Sequence, residues 1–523
     1  MLLSAIYVIR SYIFSPLSLT NFPTPMNVKS LMNQNVHVDV PLLCCSGLEN
    51  SDISTSTNAV VLTERCISDR EAEKAGRLER FRKHQEKMAA ERSENGFIYR
   101  LEQEGAVICG YDKSVNGTLY IPQILGGQKV CKIEGSFNAC KDLQCLVIPD
   151  FISEINATIS EFCKSLEAFE VSSNNSHLCS QDGILFSKDM KQLIQYPQAK
   201  RGSYTVPQGV IAIRYTAFEC CHGLISLTIP DSVTEIGFSA FAMCINLEQV
   251  VLPSHLKKID STLFSQCSSL VEIRMPNMLT DIENGAFDSC SSLTSVTFPS
   301  HLRKIGVNAF QGCASLKEIA IPSHTVNIEA GAFSNCEALT AINVDTGNPI
   351  YYSLDGVLFD HTKAMLIQYP AGRSGKYHVP LDTLAIMTSA FCGCARLTEI
   401  LLPEGLANIG IQAFRCCSSL KRVSLPNTLQ TIQDEAFIQC KNLCEVFVPA
   451  SVTTVCHLAF AGCSRLERLI FESHAPYVMD TAFACSERVT IYHHKDTHGW
   501  DNVKGAAKVA INKLPECSIS YLR

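Results

Sequence analysis

Residues 240–253 read "AFAMCINLEQVVLP", and almost the same pattern returns at residues 413–426 as "AFRCCSSLKRVSLP". In both stretches Phe is followed three residues later by Cys and three residues after that by Leu. After the Leu, apolar residues alternate with positions that vary in type, and a Pro ends the stretch. Alternation with a period of two predicts a short strand. Because Pro has no backbone N–H, it ends that strand.

The pattern repeats every 23 residues in two series that we name the first train and the second train. Phe lies at 218, 241, 264, 287, 310 and 333 in the first train and at 391, 414, 437, 460 and 483 in the second. Two looser copies precede them, one with Phe137 and one with Ser160 at the Phe position. A unit this short cannot bury an apolar face alone, so neighbouring units must stack around a shared core. We therefore predict a solenoid whose short parallel strands form one long sheet, about 4.8 Å per coil.

One cysteine per unit falls in the same slot, so stacking places these residues in a ladder inside the solenoid. Free Cys is among the most buried residue types, which favours a structural role at an interior bend. Disulfide or metal chemistry is the alternative, since rungs about 5 Å apart lie within disulfide range. Because the cysteines are equally spaced, however, the ladder does not indicate which of them would pair in a disulfide. The ladder comprises Cys140, Cys163, Cys221, Cys244, Cys267, Cys290, Cys313, Cys336, Cys394, Cys417, Cys440 and Cys463.

The regular spacing is broken twice by inserts of 35 residues, at about 172–206 and 345–379. Both contain an Asp-Gly pair and the stretch "LIQYP", 173 residues apart, so a larger block was duplicated. Each insert predicts a β-hairpin, with strands "GILF" and "QLIQYP" in the first copy and "GVLF" and "MLIQYP" in the second. We interpret the inserts as spacers or edge covers rather than binding platforms.

The remaining segments complete the expected domain organisation. Residues 1–67 are expected to be mostly disordered, and residues 68–93 predict a charged helix that begins with the capping box Ser68-x-x-Glu71. Residues 96–136 predict an N-terminal β cap, because an open solenoid end would expose its core. The solenoid is expected at 137–491, and a C-terminal cap or tail at 492–523.

Composition and motif searches narrow the possible functions. A net charge of −7 over 523 residues does not suit a nucleic-acid binder, which would show a basic patch. No stretch has the roughly 18 to 20 apolar residues of a membrane helix. The sequence contains no P-loop, GxGxxG, GxSxG or HExxH motif. The clusters Cys220-Cys221-His222 and His493, His494 and His498 are weak metal-site candidates, and we expect no catalytic, cofactor or metal site.

The period of 23, the pattern I-x-x-x-A-F-x-x-C-x-x-L-x-x-I-x-I-P, the two related inserts and "HGW" at 498–500 resemble the BspA-type leucine-rich repeat family. The resemblance extends from Phe97 to Trp500. It implies a right-handed solenoid that binds proteins, often at the surface of host-associated microbes, where adhesion is a frequent proposal. It implies no cofactor. The lack of a clear signal sequence and the many cysteines favour the cytoplasm, with the cell surface as the alternative that the family implies.

A protein ligand, whose identity the sequence does not give, is expected on the outer face of the sheet, where repeats place equivalent residues in rows. The four second-train members of one such row, Leu401, Ser424, Phe447 and Ile470, predict an exposed, mostly apolar contact patch. A structural self-assembly element is the alternative function, and an enzyme with its active site in an insert or the N-terminal region is a third. The row, named here the outer row, is Val147, Glu170, Thr228, Val251, Arg274, Thr297, Ala320, Asn343, Leu401, Ser424, Phe447 and Ile470.

Overall fold

The computed structural model of the chain describes residues 91–137, 139–156 and 163–511. Residues 1–67, most of the predicted helix 68–93, and Ser160 lie outside these ranges, as do residues 512–523. Arg92 and Ser93, the last two residues of the predicted helix, belong instead to the strand Arg92–Glu94. The fold of the described chain is the solenoid that the period of 23 predicted and that the resemblance to leucine-rich repeat proteins implied, built from short strands and turns with almost no helix.

A small sheet covers the N-terminal end of the solenoid. Its first three strands form an antiparallel meander, and the third pairs in parallel with Gln128–Ser136. That last strand also pairs with Glu154–Ile155 of the next coil, which joins the cap to the solenoid. The cap strands are Arg92–Glu94, Phe97–Glu102, Gly105–Tyr111, Ile124–Leu125 and Gln128–Ser136.

The "LxxIxIP" segments form the predicted stack of parallel strands, which we name the long-strand ladder. Equivalent residues of consecutive units pair in register, for example Ser226 with Gln249 and Glu272 with Ser295. The hydrogen-bonded sheets contain two to five strands and follow one another along the stack. The strands are Asn116–Tyr120, Asp142–Ile148, Ala168–Val171, Gly202–Thr205, Leu224–Thr228, Gln249–Val251, Glu272–Arg274, Ser295–Thr297, Glu318–Ile321, Ala341–Val344, Gly375–His378, Leu397–Leu401, Arg422–Ser424, Glu445–Val448, Arg468–Phe471, Thr490–His494 and Ala507–Ile511.

A second stack of shorter strands, the short-strand ladder, was not predicted. Most of its strands have two residues, which lie six and five residues before the Phe of the repeat, and the second of the two is in most cases a buried Ile. It runs parallel, pairing for example Asp281 with Lys304. Its strands are Glu154–Ile155, Gln192–Gln195, Ala212–Ile213, Glu235–Ile236, Lys258–Ile259, Asp281–Ile282, Lys304–Ile305, Asn327–Ile328, Met365–Gln368, Ala385–Ile386, Asn408–Ile409, Thr431–Ile432, Thr454–Val455 and Tyr477–Val478.

The interior is filled by a column of aromatic rings. Within the first train the ring centroids of consecutive Phe residues are 5.0 to 5.8 Å apart. In the second train the distances are 5.0 to 5.3 Å up to Phe460 and 6.2 Å to Phe483. Leu and Ile of each coil surround the column, so burial of this continuous apolar interior stabilises the stack.

Each insert contains the predicted antiparallel hairpin but is also part of the stack. In the first copy Ile184–Ser187 pairs with Gln192–Gln195, and a further strand, Leu178–Gln181, pairs on the other side. Gln192–Gln195 then continues the short-strand ladder, and Gly202–Thr205 continues the long one. The second insert repeats this arrangement with Tyr351–Leu354, Val357–Asp360 and Met365–Gln368.

The hairpin of each insert therefore lies at the edge of a short-strand sheet, where an edge cover is expected, while the rest of the insert continues both ladders. Each insert contributes a shortened coil whose Tyr takes the place of a Phe: the Tyr196 ring stacks on Phe218 at 4.8 Å, and Tyr369 on Phe391 at 4.9 Å. A buried Asn attaches each insert to the preceding coil. The Asn348 amide donates to the carbonyls of Pro322 and Thr325 and accepts from the backbone N–H groups of residues 350 and 351.

Candidate protein-binding surface

Side chains on the outer face of the long-strand ladder alternate with those that point into the core. Two outward positions per coil form two rows along the stack, and one of them is the outer row. Within the first train every outer-row residue from Thr228 to Asn343 is exposed, with Val251 reaching 57%. This part of the row carries apolar, hydroxyl, amide and guanidinium groups, a mixture suited to recognising another protein.

The second-train patch predicted from the outer row is not exposed. Phe447 is 4% exposed, Ile470 is 1% and Ser424 is 4%, and only Leu401 is partly accessible. In register, Phe447 lies between Ser424 and Ile470, and Ile470 lies beside Tyr492. Side chains that lie next to one another on adjacent strands contact each other along the row, which lowers their exposure. The expectation equated an outward direction with exposure, and it is wrong for these three residues.

The second outward row differs in charge between the two trains. In the second train and the insert strand before it, this row forms an alternating series, named here the charge row: Lys376, Glu399, Arg422, Glu445 and Arg468. Lys376 Nζ lies 2.8 Å from a Glu399 carboxylate oxygen, and the Glu445 carboxylate lies 3.0 Å from Arg468 and 3.7 Å from Arg422. Glu445 is buried between its two arginines. These charges therefore neutralise one another along the sheet.

In the first train the equivalent row reads Ser203, Ser226, Gln249, Glu272, Ser295, Glu318 and Ala341. Over residues 91–137, 139–156 and 163–511, neither Glu272, Glu318 nor the outer-row Arg274 takes part in an ion pair. Charges without an intramolecular partner on an exposed face are available to a ligand.

A cleft of about 400 Å³ opens on this face of the first train. Its walls include Glu272, Arg274 and Asn277 on one coil and Thr297 and Phe298 on the next. A larger open groove of about 860 Å³ lies along the short-strand ladder next to the first insert. Its floor contains Ile213 and Ile236, and its rim carries both lysines and carboxylates. The groove lies along the short-strand ladder, whereas the cleft lies on the outer face of the long-strand ladder, next to the exposed part of the outer row.

The twelve ladder cysteines lie in the interior, each fully buried. From Cys244 onward, each ladder thiol except Cys394 donates to the carbonyl oxygen of the Phe one coil earlier, as Cys244 Sγ does to Phe218 O at 3.0 Å and Cys440 Sγ to Phe414 O at 3.1 Å. Cys394 lies 3.9 Å from the carbonyl of Tyr369, which replaces Phe in the insert coil. The thirteenth unit has Ser486 in this slot, and its hydroxyl donates to Phe460 O at 2.7 Å. This position therefore supplies a hydrogen-bond donor to the preceding coil.

Burial makes these thiols unreactive. Loss of solvation raises the pKa of Cys163 and Cys336 to about 12 and that of Cys313 well above its ordinary value. Because the thiolate is the nucleophile and the metal ligand, a protonated buried thiol is chemically inert. Every cysteine in the described ranges is a free thiol, and within them we find no group of three or more His, Cys, Asp or Glu side chains placed to hold a metal ion.

The other metal candidates have local partners. Cys220 Sγ contacts the thioether of Met243 at 3.7 Å. His493 packs flat on Trp500, 4.8 Å between ring centroids, and the His498 ring lies 3.8 Å from that of His474.

None of the helices in the part of the chain that the structure describes is long and apolar enough to span a membrane.

Comparisons with solved structures return leucine-rich repeat proteins of bacteria. A leucine-rich cell surface protein from Faecalibacterium prausnitzii is 24% identical, with 79% of this chain and 96% of that chain covered and a TM-score of 0.46. A leucine-rich repeat protein from Bacteroides ovatus is 25% identical over 72% of this chain and 94% of that chain, with a TM-score of 0.40. The pneumococcal vaccine antigen PcpA is 19% identical over 81% and 98%, also with a TM-score of 0.40.

No curated protein matches the sequence significantly. The comparisons with known proteins do not support the cytoplasmic location that the sequence analysis favoured. The model of the BspA type leucine-rich repeat region, in contrast, matches residues 122–187, 211–340 and 376–496, together more than half of the chain. Those ranges contain most strands of the two ladders and all twelve ladder cysteines. The chain belongs to the BspA-type leucine-rich repeat family.

Proposed function

We propose that this chain is a non-catalytic scaffold that binds a protein ligand along the outer face of the first train. The observation that carries the proposal is the difference in exposure along the outer row: Thr228 to Asn343 face solvent, whereas Ser424, Phe447 and Ile470 are buried. A ligand can contact only the exposed part. Membership of a repeat family that presents rows of equivalent side chains supports a binding role over catalysis.

The chemistry of the face defines the ligand in general terms. Val251 and Val271 offer exposed apolar contacts, at 57% and 46%. Glu272 and Arg274 line the cleft with charges of opposite sign, and Glu318 adds an exposed carboxylate two coils further along the same face. A folded protein surface with a small apolar centre and mixed charges would complement this face. A strongly basic or strongly acidic partner would not.

We extend the proposal to an adhesin-like role at the cell surface, which the family implies. Fractionation of the native cell, combined with thiol labelling of intact cells, tests the location. The expected result is recovery with the cell envelope, and labelling only of cysteines outside the buried column. Recovery of the protein exclusively in the cytosol would contradict the surface role. It would not contradict the binding proposal, which is tested separately.

The binding proposal is tested by paired variants on opposite faces of the solenoid. Val251→Asp combined with Arg274→Glu changes the proposed face, whereas Leu384→Asp changes an exposed residue beside the short-strand ladder, 53% accessible. We expect the first variant to lose at least about tenfold in affinity for a captured partner, equivalent to about 1.4 kcal/mol, while Leu384→Asp binds as the wild type does. Equal binding by all three proteins, each folded by circular dichroism, would overturn the proposal.

A further inference from the structure

The two ends of the solenoid are finished in different ways. The N-terminal end is covered by the sheet of cap strands, whose last member Gln128–Ser136 pairs with other strands on both sides. At the other end, the strand Ala507–Ile511, named here the terminal strand, pairs in parallel with Thr490–His494. Across the described ranges it has no second strand neighbour. Ala507, Lys508, Val509 and Ala510 are all exposed.

The apolar interior below this strand is nevertheless closed. Trp500 is 4% exposed, its ring packs on Phe471 at 5.0 Å, and its indole N–H donates to Thr497 at 2.9 Å. The open feature is therefore the backbone edge of the terminal strand and not the core. An unpaired edge is a template for another strand.

The hydrogen bonds show which backbone groups are open. The N–H of Ala507 donates to Val489 O at 3.2 Å, and the carbonyl of Ile511 accepts from Lys495 N at 3.0 Å. Backbone groups of alternate residues in a strand point to the same side. Ala507, Val509 and Ile511 therefore pair inward with the neighbouring strand, and the N–H and C=O groups of Lys508 and Ala510 point to the open edge.

We propose that this edge pairs antiparallel with the same edge of a second copy of the chain, around a two-fold axis at Val509. In that register Lys508 and Ala510 of one copy face Ala510 and Lys508 of the other. These are the residues with open N–H and C=O groups, so they form the hydrogen-bonded pairs. Val509 meets its own symmetry mate in the close, non-hydrogen-bonded pair.

The side chains permit this self-pairing. The only charged residue of the terminal strand, Lys508, lies opposite Ala510, so no like charges face each other. Val509 is 39% exposed and would bury its side chain against an identical one. A two-fold axis is the commonest symmetry of soluble oligomers, and it makes the contact between Lys508 and Ala510 twice. The outer sheets of the two copies would then be continuous.

Five residues of edge bury little surface, so we expect a weak, concentration-dependent dimer. Sedimentation velocity of the full chain should show a shift toward twice the monomer mass at roughly hundreds of micromolar. Ala510→Pro removes an outward N–H that the intramolecular sheet does not use, and Val509→Lys places two like charges opposite each other. Each should weaken association at least about tenfold, whereas Ala510→Ser and Val509→Thr should not.

The register itself is tested by cross-linking. Val509→Cys places two thiols across the axis in a non-hydrogen-bonded pair, about 4.5 Å between Cα atoms and within disulfide range. Oxidation should yield a 509–509 linked dimer, identified by mass spectrometry, and Ala510→Cys should yield none. A chain that stays monomeric at every concentration, as it would if residues 512–523 occupied the edge, overturns the proposal. Equal cross-linking of the two cysteine variants overturns it as well.

Discussion

The two trains have the same interior and different outer faces. Inside both, Phe rings stack at about the same spacing and thiols bind the preceding coil. Outside, the first train leaves Val251 and Arg274 in solvent, whereas the second buries Phe447 and pairs its charges laterally. The repeat thus fixes the residues that every coil needs for stacking and leaves the outer positions free to diverge, which is where specific recognition can arise.

The largest effect is expected where the trains agree. Phe264→Ala and Phe437→Ala each remove a fully buried ring that stacks on two others, and each should lower the free energy of unfolding by about 3–5 kcal/mol. Contacts in a solenoid reach only adjacent coils, so the loss should be local. Hydrogen exchange of the mutated and adjacent coils measures it. A difference between the two variants larger than about twofold would show that the interiors are not equivalent.

The next prediction compares the outer faces of the two trains by changing equivalent positions of the outer row. Phe447→Asp would bury a carboxylate and should destabilise the second train by about 3 kcal/mol. Val251→Asp, at a position 57% exposed, should change stability by less than about 0.5 kcal/mol. Urea unfolding followed by circular dichroism compares the two. If Phe447→Asp unfolds no earlier than Val251→Asp, the outer face of the second train is open to solvent and the contrast between the trains is lost.

A pH-dependent difference is expected from Asp288, which follows Phe287 in the first train. Burial raises the pKa of its carboxyl group from 3.8 to about 6, partly offset by hydroxyl groups of Ser289 and Ser265. The folded chain therefore prefers the protonated acid, and its free energy of unfolding falls as the pH rises from about 4 to about 6. Asp288→Asn should stabilise the protein by about 1–3 kcal/mol at pH 7 and give no gain below pH 4.

Asp231→Asn is the matched control with the opposite sign. The pKa of this exposed carboxyl group is lowered because it accepts the backbone N–H of Ser254 at 2.7 Å. Its replacement should reduce stability at neutral pH rather than raise it. Thermal unfolding of the two variants between pH 3.5 and pH 7.5 gives the sign in each case, and a parallel response of both would refute the assignment to burial.

A smaller effect is expected at the backbone position before the "AF" pair, which adopts the left-handed region in most coils. Thr216 has a φ of 54° there, whereas Gly331 has 67° at the equivalent place. A β-branched residue is strained in this region. Thr216→Gly should stabilise the protein by about 0.5–1 kcal/mol, and Gly331→Ala should destabilise it, since the new Cβ would clash with the Asn308 amide oxygen. Melting temperatures that move in the same direction would contradict this explanation.

The sequence predicted the features that depend on every coil being alike. Phe264, Cys267 and Leu270 recur at constant spacing, and stacking identical coils leaves one place for each. It did not predict the short-strand ladder, because two-residue strands such as Lys258–Ile259 contain no alternation to recognise. Nor did it predict that Tyr196 and Tyr369 continue the aromatic column, since their coils lack the "AFxxC" corner. The burial of Phe447 was inaccessible for a different reason, because periodicity gives the direction of a side chain and not what covers it.

The smallest single effect is expected for Cys440→Ser in the thiol column, where the second train contains its own natural substitution. Ser486 makes with Phe460 O the bond that Cys440 makes with Phe414 O. Cys440→Ser should therefore cost less than about 0.5 kcal/mol. Cys440→Ala, which leaves a buried carbonyl without its donor, should cost about 1–2 kcal/mol. If alanine is tolerated as well as serine, the slot selects for size alone; if serine is the more damaging, apolar packing of sulfur outweighs the hydrogen bond and the role assigned to the column fails.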